Sequence, residues 1–187
     1  MNIQPSHPYW VFNSIAKCNS DIETFHMSRY IYTPNTIDDK RALINLTRQQ
    51  LLDEVAMSNI LANLSPGENI AIHSNIIMKN GKLMHLPMID MQTGSKAHLE
   101  KINSTLPKEI HNEITWYSSG RSFHGYGKTL LTIDEWVKFM GYLLLCNQKN
   151  MTPTVDPRWI GHRLLAGYSA LRWTKNGLHY LAMPTQL

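Results

Sequence analysis

Asn69-Ile-Ala-Ile-His-Ser-Asn-Ile-Ile-Met78, then Asn80-Gly81, then Lys82-Leu-Met-His-Leu-Pro-Met-Ile-Asp-Met91 is the stretch that decides the fold. Two apolar runs flank a pair suited to a type I′ turn, which predicts a β-hairpin. The second run, His85-Leu-Pro-Met-Ile-Asp90, ends in a carboxylate. An acid at the end of a buried strand is costly unless a metal or a hydrogen-bond network holds it.

Outward from the hairpin, helices and strands alternate irregularly. Upstream, Thr47 and Gln50 have capping-box spacing. Leu51, Leu52, Val55, Ile60 and Leu61 then follow helical spacing up to Ser65-Pro-Gly67. Downstream, Ser95 is a candidate cap for a helix reaching about Leu106, before Pro107. Ile114 to Ser118 and Phe123 to Leu130 read as strands around a Ser-Gly-Arg-Ser turn. Thr132 and Glu135 form a second capping box, opening an apolar helix that contains Trp136, Phe139, Met140 and Leu143. Asn147 to Thr154 reads as a loop and Pro157 to Leu165 as a short helix. Tyr168 to Trp173 and Leu178 to Met183 read as a last hairpin across Lys175-Asn-Gly177. Near the N-terminus, Tyr9-Trp-Val-Phe12 is expected as a short strand, and Phe25 to Tyr32 as a strand or an irregular loop. This order predicts an α+β chain with a mainly antiparallel sheet flanked by helices.

The 187 residues fit a single domain, with residues 1–66 of uncertain structure and the motifs within 69–183. With 43% hydrophobic and 17% charged residues, the chain can bury a core, and long disorder is not expected. No apolar stretch reaches membrane-spanning length, and Met-Asn-Ile-Gln-Pro5 lacks a signal pattern. Cys18 and Cys146 have no metal-binding spacing, so they are expected to be reduced thiols of a cytoplasmic protein. The net charge of +4 permits a polyanionic partner. Arg158, Arg163, Arg172 and Lys175 lie among Trp159, Tyr168 and Trp173, a mixture that suits nucleotides or nucleic acid. Surface cations beside core aromatics would give the same pattern.

Three short motifs carry the chemistry. Ile89-Asp90-Met91-Gln92 ends the hairpin. Ser119-Gly-Arg-Ser-Phe-His124 offers hydroxyls, a cation and an imidazole to a phosphate group. Val155-Asp156 is followed by Leu171-Arg172 and Lys175. In this order the motifs resemble those of the archaeo-eukaryotic primase superfamily, the primase-polymerases. That family's pattern is Asp-x-Asp after an apolar strand, then Ser-x-His, then an apolar residue with Asp and a downstream Leu-Arg and basic residue. The resemblance covers about residues 69 to 183.

The resemblance implies a primase-polymerase-like, RRM-like core and metal-dependent nucleotidyl transfer from nucleoside triphosphates onto a nucleic-acid strand. It implies Asp90, Asp156 and His124 as catalytic residues. Asp90 and Asp156, with Gln92 in the third position, would hold Mg²⁺ or Mn²⁺. Ser122, Arg121 and His124 would face the triphosphate, and Arg172 and Lys175 the nucleotide or template backbone. Template or primer, nucleoside triphosphate and a protein such as a helicase or nuclease subunit are the implied partners, with no membrane. The chain departs from the pattern at Gln92, where the family has a second acid. Either fewer protein ligands suffice, or another acid substitutes, or only nucleotide binding remains. In the last case the chain would be a degenerate binding subunit of a plasmid, phage or defence system. A rolling-circle nuclease would need a His-x-His, and the nine histidines never occur two apart.

Overall fold

The computed structural model describes residues 2–37 and 40–187. An antiparallel sheet is built on two long strands, β1 (Ile22–Ile31) and β3 (Glu68–Met78), which pair along most of their length. Beyond β1 lies β2 (Ala42–Thr47). On its other side β3 pairs with both β4 (Leu83–His85) and β8 (Ala170–Arg172). The second sheet has the order β5 (Met88–Asp90), β7 (Phe123–Tyr126), β6 (Thr115–Ser118), β9 (Thr185–Gln186), again antiparallel. Helices flank both, so the chain has the α+β class that its element order predicts.

The hairpin around Asn80-Gly81 forms, but its second strand divides. Pro87 has no N–H for a ladder, and the chain changes sheets beside it. Leu86 still donates to Ser74 O (2.9 Å), while Pro87 O accepts from Gly127 N (2.8 Å). Gly127 has no alternative there, because a Cβ would lie 2.9 Å from the Pro87 ring. Asp90 is thereby carried out of the first sheet into the second. The turn also differs from type I′, since of its two central residues only Gly81 takes a positive φ (79°). Met78 N bonds Lys82 O across a three-residue loop, the form in which a type I turn ends in a left-handed glycine.

Other expectations change for local reasons. Tyr9–Cys18 is a helix, α1, not a strand: Pro8 precedes it, and Tyr9, Phe12, Ile15 and Ala16 fall on its buried side. Phe25 to Tyr32 belongs to the strand β1. The helix after Thr47 breaks at Asp53 into α2 (Arg48–Leu52) and α3 (Glu54–Ala62), because the Asp53 carboxylate accepts from Val55 N and Ala56 N and starts a new helix. It stops before Ser65-Pro-Gly67. Lys96 rather than Ser95 precedes α4 (Ala97–Thr105), and Pro107 opens a further turn, α5 (Lys108–His111). The strand β7 ends at Tyr126 instead of Leu130. No C-terminal hairpin forms. The strand β8 bonds to β3, and residues 178–183 run without strand pairing into β9.

Both capping boxes form as expected. That of Thr132 and Glu135 opens α6 (Ile133–Leu145). Pro157 begins α7 (Pro157–Ala166), which ends at Gly167 in the left-handed conformation. One buried cluster joins α1 and α2 to the first sheet through Phe12, Phe25, Ile72, Leu171 and Trp173. A second joins α6, α4 and α7 to the smaller sheet through Ile89, Phe123, Trp136 and Phe139. Among the described residues no helix is long and apolar enough to cross a membrane.

Candidate functional site

Asp90, at the end of β5, stands opposite His124 of β7 in the ladder. Strand alternation puts Gln92 on the same side as Asp90 and buries Met91 on the other. Met91 also bridges to Val155, with Asp156 N donating to Asp90 O (3.0 Å) and Gln92 N to Thr154 O (3.0 Å). The two acids, 66 residues apart in sequence, are thus side by side on main-chain hydrogen bonds. Asp156 is also the N-cap of α7, its Oδ1 accepting from Arg158 N (2.8 Å) and Trp159 N (3.1 Å).

A cavity of about 420 Å³ opens on this point between the two sheets. Asp90, Gln92, His124 and Asp156 line it together with Ser122, Arg121 and Arg172. A second cavity, about 380 Å³, adjoins across the same acids and is lined by Arg158, Trp159, His162 and Arg163. Of the residues expected at the site, Lys175 alone stands apart: it is exposed and lines neither cavity.

The electrostatics separate an acid side from a donor side. Burial, then the neighbouring Asp156 charge, raises the Asp90 carboxyl to about 7, against the opposing pull of Arg172 and Arg163. Burial, then Arg172, pushes the His124 imidazole down to about 3, so the ring is neutral. Its Nε2 lies 3.6 Å from Asp90 Oδ1, too far for a hydrogen bond, and a neutral ring makes no ion pair there. His124 Nδ1 is buried without a hydrogen-bond partner, an expensive state for a polar atom.

The Ser119–Ser122 turn closes on itself, with Ser119 N donating to Ser122 O (2.9 Å) and the two hydroxyls 3.0 Å apart. Arg121 is exposed at its tip. Arg172 lies beneath, 6% exposed. Its Nη2 donates to Ser119 O (2.9 Å), its Nη1 to Thr174 O, and its guanidinium lies over the Tyr180 ring. It brings charge to the cavity, while both ends of its fork are bonded within the protein.

Several lining residues escaped the motif reading. Tyr30 and Arg41 come from the N-terminal part, where Arg41 lies over the Tyr30 ring at 4.4 Å. Tyr180 bonds Tyr30 through the two hydroxyls (2.9 Å). Asn147 lies outside the cavity but fixes the chain before Asp156. Its Oδ1 accepts from Thr154 N (2.8 Å) and Val155 N (3.0 Å), and its Nδ2 donates to Val155 O (2.9 Å). An Asn between an apolar helix and a loop was the available signal, but which carbonyl it bonds is decided by the loop's return.

Could a divalent metal fit here? Among the described residues no group of three His, Cys, Asp or Glu side chains converges. Two carboxylates do, one with its pKa raised by burial and by the other's charge. Hard cations such as Mg²⁺ are commonly held by one or two carboxylates, with water and substrate phosphates completing the shell. The donor set therefore fits one such cation, with the Gln92 amide oxygen as a neutral additional donor.

Searches among curated proteins and solved structures gave no match. A family model described as "AEP-like: Archaeo-eukaryotic primase 1D-like" matches residues 48–185. That span contains all three motifs and both members of the acid pair, and it covers well over half of the chain. The chain belongs to the archaeo-eukaryotic primase-like family.

Proposed function

We propose that this primase-like domain binds a nucleoside triphosphate with a divalent cation and transfers its nucleotidyl group to a nucleic-acid strand. The observation that carries the reading is the pairing of Asp90 with Asp156 at the junction of two cavities, with Ser122, Arg121 and His124 on one side. In-line displacement needs the leaving and attacking oxygens on opposite sides of one phosphorus. A triphosphate in the larger cavity faces the hydroxyl-rich turn. An acceptor end in the adjoining cavity meets Arg158 and His162.

Asp90 and Asp156 would hold Mg²⁺ or Mn²⁺. Bound there, the cation neutralises phosphate charge and favours displacement at phosphorus. The Ser119–Ser122 turn offers hydroxyls to the phosphates. The neutral His124 ring donates one N–H without adding a charge. Arg172 supports the negative charge through its field.

Gln92 favours a second reading, a binding domain that holds nucleotide without joining it. An amide supplies an oxygen but no charge, so two carboxylates carry the cation alone. The test is Mn²⁺ and triphosphate titration with primer extension, on wild type and on Gln92→Asp. The catalytic reading expects wild type to bind both and extend a primer, and Gln92→Asp to tighten Mn²⁺ binding and raise extension. Triphosphate binding without extension by either protein selects the binding domain. Absence of metal and triphosphate binding at millimolar concentrations rules out both.

A further inference from the structure

Arg172 fits poorly as a direct phosphate ligand, and its surroundings assign it other work. One terminal nitrogen bonds Ser119 O at 2.9 Å, in the turn that faces the cavity. The other bonds Thr174 O, in its own chain just after β8. Its plane covers the Tyr180 ring with 4.0 Å to the centroid, and the Tyr180 hydroxyl bonds that of Tyr30 on β1. One buried side chain therefore joins the first sheet, the turn of the second sheet and the C-terminal segment.

An independent contact joins the same two pieces. Gly120 has φ +108°, and a Cβ on it would lie 3.1 Å from Ala182 N and 3.2 Å from Leu181 Cβ. The turn and the segment thus touch almost main chain to main chain. The segment's other anchors are the Tyr30 hydroxyl and the Tyr32 ring, on which His179 stacks with 4.1 Å between centroids. Residues 178–183 form no strand, and Leu178, Leu181 and Met183 are exposed. Yet His179, Tyr180 and Leu181 form a wall of the larger cavity.

We infer that Arg172 is a positioning residue, which clasps the 178–182 segment and the Ser119–Ser122 turn together and so builds the wall and floor of the nucleotide cavity. The clasp needs a planar fork with a stackable face. Lysine keeps the charge but supplies neither. The claim that a triphosphate uses this cavity rests on the proposed function; the clasp itself does not.

Hydrogen–deuterium exchange on the ligand-free full chain separates the two. Arg172→Lys is expected to speed exchange about tenfold or more in the peptides covering 119–124 and 179–183, leaving β1 and β3 unchanged. Tyr180→Phe, which loses only the Tyr30 hydrogen bond, is expected to act on the same peptides more weakly. Titration with the Mn²⁺ complex of a nucleoside triphosphate at two salt concentrations gives the second readout. Affinity should fall about tenfold in Arg172→Lys while its salt dependence stays as in wild type, since no phosphate contact is removed. Unchanged exchange with weaker, less salt-dependent binding would make Arg172 a phosphate ligand and overturn the proposal. Faster exchange throughout, β3 included, would overturn it in favour of a general stability role. A loosened turn with unchanged affinity would overturn its link to the cavity. If wild type binds no triphosphate, the proposed function fails, and the exchange pattern still decides whether the clasp exists.

Discussion

The two sheets solve opposite problems. In the first, β1 and β3 run for 10 and 11 residues, and six consecutive residues of β3 from Asn69 to Ser74 are buried. Several of its buried polar groups pair: His73 with Ser28 (2.8 Å), Ser74 with His85 (3.1 Å), Ile70 N with Thr174 (2.9 Å). In the second sheet no strand exceeds four residues, and its edge toward the first carries a raised carboxyl and an imidazole nitrogen without a partner. Stability concentrates where the ladders are long. Buried polar atoms without a partner occur in both sheets, Asn75 Oδ1 and His85 Nε2 in the first and His124 Nδ1 in the second, and of these three His124 lines the cavity, where a ligand could satisfy it.

The largest expected effect lies in the first sheet. Trp173→Ala removes a fully buried ring packed against Phe12, His7 and Tyr9. Urea unfolding should show a loss of about 3–5 kcal/mol, the usual cost of emptying such a site. A loss below about 1 kcal/mol would mean that this sheet is not the stable half.

Asn147→Ala strikes the link between the second cluster and Asp156. Three hydrogen bonds disappear, and main-chain groups of Thr154 and Val155 lose their partner. A cost of about 2 kcal/mol is expected in the same assay. Mn²⁺ affinity should fall with it, since Asp156 is the next residue along.

Two buried histidines, His85 of β4 and His7 against Trp173, set an acid limit. Burial lowers His7 and His85 to about 4, from an ordinary value of 6.5. A lowered histidine contributes its full stability above its unfolded value and loses it as the pH falls toward its folded value. The unfolded chain binds more protons in that window, so stability should decline between pH 6.5 and 4, by about 1–2 kcal/mol over the first unit and a half. Thermal melts across this range check it, and a flat profile would show that water reaches both rings.

The smallest effect has the opposite sign. The Asp90 carboxyl is raised to about 7 in the fold from an ordinary 3.8. That contribution is present below the unfolded value and lost as the pH rises through the folded one. At pH 8 the metal-free protein bears the full cost of an ionised, crowded carboxylate. Asp90→Asn should therefore stabilise it by about 1 kcal/mol, a part only of the roughly three-unit shift because the amide's own polar groups are then buried there, while weakening Mn²⁺ binding. Destabilisation at pH 8 would break the contrast between the sheets.

Periodicity and capping made several elements legible. Thr132-Ile-Asp-Glu135 announces α6, and the apolar run from Asn69 announces β3, because a cap and a ladder are local patterns. Tyr9 to Phe12 misled, because four apolar aromatic-rich residues fit a strand or a helix equally until Pro8 and the following turns decide. Leu178 to Met183 misled in the same way, since Gly177 suggests a turn but β3 offers β8 a longer partner.

By itself, the sequence determined the α+β class, most of the helices after α1 and the order of the three motifs, because each depends on residues within a turn or a strand of one another. Tertiary structure decided that Pro87 would carry Asp90 into a second sheet, and that Asp156 would reach it across 66 residues through Met91 and Val155. It also brought Tyr30 and Arg41 to the cavity and turned Arg172 inward onto Ser119 and Tyr180. Such contacts form between segments whose own patterns contain no reference to each other. They are fixed by which buried donors and acceptors remain to be satisfied once the two sheets pack.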